Sequence, residues 1–332
     1  PSHRDPNPAC MILTNRGRRL ALLLLAAVPA AIGAPAIARL DPARIPALLA
    51  GAPGAIAELP LETGGAVVAA ATGRHLGFDT NIYPGDRAMR AWQDEGSPYE
   101  WVGYYLPAPC HRDDSWSGKR ETLTSMGWGL AVIYVGQQTW DGVPGPSAKA
   151  VAAARRRGTL ECHRSLLGAA QGRDEADDAV ARTVAEGFPE GTTIFLDIEY
   201  MDVVSPRMRE YYRAWVARLL ADGRFRPGVY AHTRNAERIH ADVRDVFSLM
   251  GVDAEPAFWI ASGRDFDTDK RPADVGHAFA HAWQGVLDIV QTWNGVTLPI
   301  DVNVAAVPSP SDHRYAAWTV RRTLDPDVAV AD

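Results

Sequence analysis

The segment TTIFLDIEY, residues 192–200, sets two carboxylic acids, Asp197 and Glu199, at the end of an apolar run. In an extended strand, side chains i and i+2 share a face. The two acids therefore point the same way, with Cα atoms roughly 6.6 Å apart. Acids this close push their pKa values apart, so one stays protonated and can donate a proton while the other stays ionised. Cleavage of a glycosidic bond needs that division of labour. Alone, the pair also fits solvated rim carboxylates or a structural salt bridge. Two further acids narrow the choice: Asp79 ends the run HLGFD, and Asp301 lies in PIDVN. If these runs are strands of one closed barrel, the first and last are neighbours. Asp79, Asp197, Glu199 and Asp301 then converge on one mouth.

Other chemistries lack their residues. The nine histidines form no HExxH and no His-x-His, and only His232 and His281 fall near the expected mouth. Zinc is not expected. Four carboxylates could hold Mg²⁺ or Ca²⁺, but the expectation is no metal and no cofactor. There is no G-x-S-x-G elbow, no G-x-G-x-x-G and no P-loop. Aromatic residues do fall at strand ends: Tyr104, Trp116, Tyr134, Tyr200, Tyr230, Trp259 and Trp283. Sugar C–H faces pack on aromatic rings, so an acidic cleft lined with such rings suits a glycan. Packing between barrel and helices is the competing reading for each ring. Trp283 with Gln284 is the preferred pair, followed by Tyr230, with Tyr104, Trp259 and Tyr200 completing the expected substrate-binding set.

Eight short apolar runs can carry these residues: 75–79, 101–106, 130–135, 193–199, 226–231, 257–261, 280–284 and 299–303. Helical patterns separate the first six, at 86–95, 119–126, 175–187, 206–221 and 236–249. Asp174 is placed to cap the third helix, and Pro206 suits the start of the fourth. Between Gln284 and Pro299 there is no room for a crossover helix, and Trp293-Asn294-Gly295 reads as a hairpin turn. The expected fold class is α/β: an irregular (β/α) TIM-type barrel of about five βα units, followed by three strands with short connections.

The start of the chain has a different character. From Met11, Arg16, Arg18 and Arg19 precede an apolar run from Leu20, and Ala36-Ile37-Ala38 fits a signal cleavage site. Pro29, Gly33 and Pro35 break that run, which disfavours a retained membrane anchor. Arg18-Arg19 leaves the Sec and twin-arginine routes both open. Residues 1–10, with Cys10, precede Met11, which reads as the start of the natural chain. The expected organisation is 1–38 upstream residues and signal peptide, 39–73 lead-in, 74–308 barrel, and 309–332 tail. The expected location is secreted, periplasmic or cell envelope, with no membrane span after cleavage. An oxidising compartment makes a Cys110–Cys162 disulfide the favoured reading of the two remaining cysteines, over two free thiols.

The chain has 332 residues, 47% hydrophobic and 22% charged, enough to bury a sizeable core. Four Arg and one Asp lie in the first 38 residues. The remainder carries 30 Lys+Arg against 39 Asp+Glu, a net of −9. That charge is a poor footprint for nucleic acid and gives no pull toward anionic membranes.

The opening HLGFDTNIYPGDRAMRAW and YEWVGYYL resemble a glycoside-hydrolase-like family known as domain of unknown function 1906, whose members are typically exported. The later FLDIE, PGVYAHT, FWIAS, AWQ and PIDVN resemble, in that order, the family 25 glycoside hydrolases, the Chalaropsis-type lysozymes. The similarity spans roughly residues 75–305. It implies Glu199 as general acid, with Asp197 orienting the substrate's 2-acetamido group or stabilising an oxocarbenium ion. Asp79 and Asp301 would position substrate and tune the pair, and peptidoglycan is the implied substrate. The first strand departs from this pattern, reading GFDTN where those lysozymes have Gly-Ile-Asp-Val-Ser, and the insert 137–173 is long. The leading expectation is an exported glycoside hydrolase acting on peptidoglycan or another amino-sugar polymer. A second reading is an envelope protein that binds glycan on the same barrel with little or no catalysis. A third is a metal-dependent phosphodiesterase.

Overall fold

A computed structural model of the chain describes residues 73–94, 96–139 and 162–315. The expected signal peptide, nearly all of the lead-in, most of the insert 137–173 and the tail beyond 315 lie outside the described residues.

Eight strands close into a barrel in sequence order. They are β1 His75–Asp79, β2 Trp101–Tyr105, β3 Gly129–Val135, β4 Thr193–Ile198, β5 Arg226–His232, β6 Ala257–Ala261, β7 Ala280–Trp293 and β8 Val296–Ala305. β1 to β7 run parallel to one another, and β8 runs antiparallel to both β7 and β1. The cause is the short connection: parallel neighbours need a crossover of a dozen or more residues, and a two-residue turn forces reversal. Asn294 and Gly295 make that turn, with φ of 47° and 75°, the left-handed pair that a tight hairpin requires. β7 and β8 are longer than the runs 280–284 and 299–303 because the hairpin flanks are themselves strand. Register shifts at Gln284/Val286 and Val286/Ile289 bend the hairpin. It docks on α1 (Asp86–Gln93), where Trp92 Nε1 donates to the Val296 carbonyl and Asn294 to that of Ala91.

Four more helices among the described residues complete the five βα units: α2 Arg120–Ser125, α3 Ala169–Ala185, α4 Pro206–Asp222 and α5 Thr233–Leu249. α4 starts as its sequence dictates, with the Ser205 hydroxyl accepting from Met208 N–H and Pro206 in the first turn. α3 starts six residues earlier than expected, and its cap residue is Gly168, not Asp174. The reason is tertiary. Gln171, Gly172 and Glu175 are buried against α4, and a Cβ on Gly172 would lie 2.1 Å from the Tyr211 carbonyl oxygen. Residues that look like a polar loop in isolation are the buried face of a helix pair.

Below the mouth, Trp101 and Phe195 pack edge-on to Trp259 at 5.4 and 5.8 Å. Gly77 admits Trp101, since a Cβ there would sit 2.1 Å from the indole. This aromatic plug makes the barrel a packed core rather than a pore. Among the described residues, no helix is long and apolar enough to cross a membrane.

Candidate active site

Each of the eight strands sends one side chain into one cavity at the mouth. These are Asp79, Tyr105, Ile133, Asp197, Tyr230, Trp259, Gln284 and Asp301, and Glu199 joins them just past the end of β4. Strand alternation selects them. β1 and β8 pair in register so that Asp79 lies opposite Asp301. The four acids named from the sequence thus stand around one space.

Their surroundings differ sharply. Asp79 is buried and accepts three hydrogen bonds: from Tyr105 Oη at 2.7 Å, Gln284 Nε2 at 2.9 Å and Asn303 Nδ2 at 2.8 Å. The donors are held in turn. Tyr230 donates to Gln284 Oε1 at 2.6 Å, and Trp259 Nε1 donates to Asn303 Oδ1 at 3.1 Å. Asp301 accepts from Gln284 Nε2 at 3.2 Å and from the Asp288 backbone N–H at 2.7 Å. Asp197 is 8% exposed, and its buried Oδ1 has no hydrogen-bond partner.

Burial raises all four carboxyls, and the charge of nearby carboxylates adds to the rise. Desolvation lifts Asp79, although its three hydrogen bonds oppose the shift. Asp197 is pushed well above the usual range by burial, then by the charges of Glu199 and Asp79. Asp301 rises to about 8 through burial, then through Asp79. Glu199 is the most solvent-open of the four, so water screens part of the effect. It is still raised, by desolvation first and Asp79 second. Asp301, raised to about 8, keeps its proton at neutral pH, and the titration of each acid depends on its neighbours. Burial also keeps the phenols of Tyr105 and Tyr230 protonated, as donors.

Three residues expected at the substrate site lie elsewhere. Trp283 is fully buried, donates through Nε1 to the Ser262 carbonyl and packs edge-on against Phe266. Its neighbour Gln284 faces the cavity, and adjacent strand residues cannot both do so. For the same reason Tyr104 points outward, its hydroxyl on Glu186 and its ring against Trp116 and Phe188, while Tyr105 points in. Tyr200 is 45% exposed in the loop after β4, bonded to Asp202 and edge-on to His232. Of the other rings, Trp116 is buried against Tyr83 and Tyr104, and Tyr134 donates to Asp178 on α3. Tyr105 and Asn303 escaped the sequence reading, yet each carried a signal: Asn303 is two residues from Asp301, and Tyr105 keeps phase with Trp101 across Gly103. The Cys110–Cys162 disulfide forms, joining the loop after β2 to the segment that leads into α3. Among the described residues, no group of three or more His, Cys, Asp and Glu is arranged to hold a metal ion.

The sequence pattern of the family described as Rv2525c-like, glycoside hydrolase-like domain matches residues 90–305. Among solved structures, the chain is similar to an uncharacterized B. stearothermophilus protein at 18% identity, over 73% of this chain and 100% of that one, with TM-score 0.48. It is similar to the Mycobacterium tuberculosis Tat-secreted protein Rv2525c at 18% identity, over 70% and 94%, with TM-score 0.42. A bacterial lysozyme from Streptomyces coelicolor is similar at 15% identity, over 70% and 92%, with TM-score 0.41. No curated protein matches the chain. With the family pattern running from within α1 to the last residue of β8, the chain belongs to the Rv2525c-like, glycoside hydrolase-like domain family.

Proposed function

We propose that this protein is an exported glycoside hydrolase acting on peptidoglycan or another amino-sugar polymer. The observation that carries the reading is the single cavity where Asp79, Asp197, Glu199 and Asp301 meet, with burial and repulsion keeping part of the set protonated at neutral pH. Glu199, the acid open to solvent at the lip, is the general acid that protonates the leaving glycosidic oxygen. Asp197 stands beside it on the cavity wall, where its carboxyl orients the 2-acetamido group or stabilises a developing oxocarbenium ion. Asp79 and Asp301 position substrate and raise the pKa of their neighbours. Tyr230, half-buried in the cavity wall, brings an aromatic ring to the sugar, while Trp259 and Gln284 line the cavity and hold Asn303, Asp79 and Asp301 in place.

Export rests on the charged, apolar and small-residue sequence from Met11 to Ala38, and on a disulfide that suits an oxidising compartment. The proposed mature chain comprises the lead-in 39–73, the barrel 74–308 and the tail 309–332.

The test is incubation of the purified protein with peptidoglycan and with chitooligosaccharides, reading new reducing ends by mass spectrometry. Glu199→Gln keeps the shape and removes the proton donor, and its rate is expected to fall by about 10²–10⁴. Equal cleavage by both proteins removes Glu199 from its role. Glycan binding with no cleavage by either makes the acids a recognition surface.

A further inference from the structure

β3 stops at Val135, where its ladder with β4 ends opposite Asp197. The chain just beyond is nevertheless buried, with Gln137 and Gln138 0% and 2% exposed. Gln138 turns its amide back onto β4. Its Nε2 donates to the Asp197 carbonyl at 2.9 Å and to the Gly136 carbonyl at 3.2 Å. Its Oε1 accepts from the Glu199 backbone N–H at 3.0 Å. One carboxamide thus supplies the rungs that the β3 backbone no longer can, and it grips the strand on both sides of Ile198. A carboxamide carries a donor and an acceptor side by side at every pH, whereas a carboxyl of the same shape does so only while protonated.

The grip is itself anchored. Gln137 donates from its backbone N–H to Tyr211 Oη at 3.1 Å and from Nε2 to Glu175 Oε1 at 2.6 Å, and its Oε1 accepts from His163 N–H at 2.9 Å. Glu175 also accepts from Gln171 Nε2 and from the Tyr211 hydroxyl. The backbone that carries Gln138 is therefore tied to both α3 and α4.

We propose that Gln138 is a positioning residue of the active site: its side-chain amide fixes the direction in which the end of β4 delivers Asp197 and Glu199 into the cavity. The inference rests on the reading of Glu199 as general acid. Glu199 lies one residue beyond β4, so no strand pairing holds its N–H in place of Gln138. A misplacement of about 1 Å at a catalytic group costs on the order of 10²-fold in rate.

The test uses the full chain and two variants. Gln138→Met keeps the buried volume and removes all three hydrogen bonds. Gln138→Glu keeps the shape and can donate to the Asp197 carbonyl only when protonated. The first readout needs no substrate: titration of the Glu199 carboxyl by NMR with ¹³C-labelled glutamate. In Gln138→Met the Glu199 midpoint is expected to fall toward the ordinary glutamate value of about 4.3 as the side chain swings into solvent. The second readout is glycan cleavage, where Gln138→Met is expected to lose about 10–100-fold in kcat with KM changed less than about threefold. Gln138→Glu is expected to recover toward the wild-type rate as pH falls. An unmoved Glu199 midpoint in Gln138→Met overturns the inference. So does a Gln138→Glu to wild-type rate ratio that does not change with pH. A wild-type protein that cleaves no glycan overturns the role of Glu199 instead, and the titration still decides what Gln138 does.

Discussion

Asp79 and Asp197 are the same residue type in one cavity, and their partners give them different work. Asp79 is surrounded by donors from Tyr105, Gln284 and Asn303, which suits an ionised acceptor. Its charge is felt by all three other acids, and it follows burial as the chief reason that Asp301 titrates near 8. Asp79→Asn removes that charge. The Asp301 midpoint is then expected to fall below about 8, read by NMR titration of the carboxyl carbons. An unchanged midpoint would mean that burial, with the charges of Asp288 and Glu199, sets it without Asp79. The same logic gives the pH profile: a general acid whose pKa is raised stays active above the ordinary carboxylate range, and activity is lost as pH rises through that value.

At the scale of elements, the seam between α3 and α4 holds a second buried carboxyl. Glu175 is fully buried, and burial raises it to about 7 against donors from Tyr211, Gln137 and Gln171. Tyr134 on β3 and Asp178 on the same helix also face this group, and the charge of Asp178 adds to the rise. A carboxyl raised in the folded state contributes its full stability below the unfolded value near 4.5, and that contribution is lost as pH climbs through 7. The span corresponds to about 3 kcal/mol. Urea unfolding between pH 4.5 and 8 is expected to show that loss in the wild type on top of the loss from the raised acids at the mouth, and in Glu175→Gln a profile flatter by the Glu175 share alone. Asp242, which Arg209 and Tyr212 hold below its ordinary value, loses its contribution only in more acidic solution, outside this window.

For the whole molecule, the Cys110–Cys162 bond closes a loop across 52 positions of chain. Chain-entropy reasoning assigns such a crosslink about 4 kcal/mol, and measured cases mostly fall at roughly 2–4 kcal/mol. Reduction, or Cys162→Ser, is expected to lower the urea midpoint by that order. The acids should still assemble, because their strands close the barrel without the crosslink. A Glu199 titration unchanged on reduction would separate global stability from the geometry of the mouth. The hairpin matters at this scale too: by returning antiparallel, β8 closes the sheet and brings Asp301 opposite Asp79.

The amino-acid sequence by itself determined the strands and their number, because apolar runs of barrel length separated by turn residues leave few alternatives. It also determined the hairpin, since Asn294-Gly295 favours a left-handed turn, and the acids, since each ends or enters a strand. It did not decide which of two adjacent residues faces inward. Trp283 and Gln284, or Tyr104 and Tyr105, are equally good occupants of a strand. Their phase follows from register against neighbouring strands: Gln284 lies opposite Asn303 on β8, whose Asp301 faces Asp79. Nor did it show that Gln137, Gln138, Gln171 and Glu175 are buried. Polar residues reach the interior only where distant partners satisfy them, and Tyr211 and the end of β4 reach them only through the closed barrel.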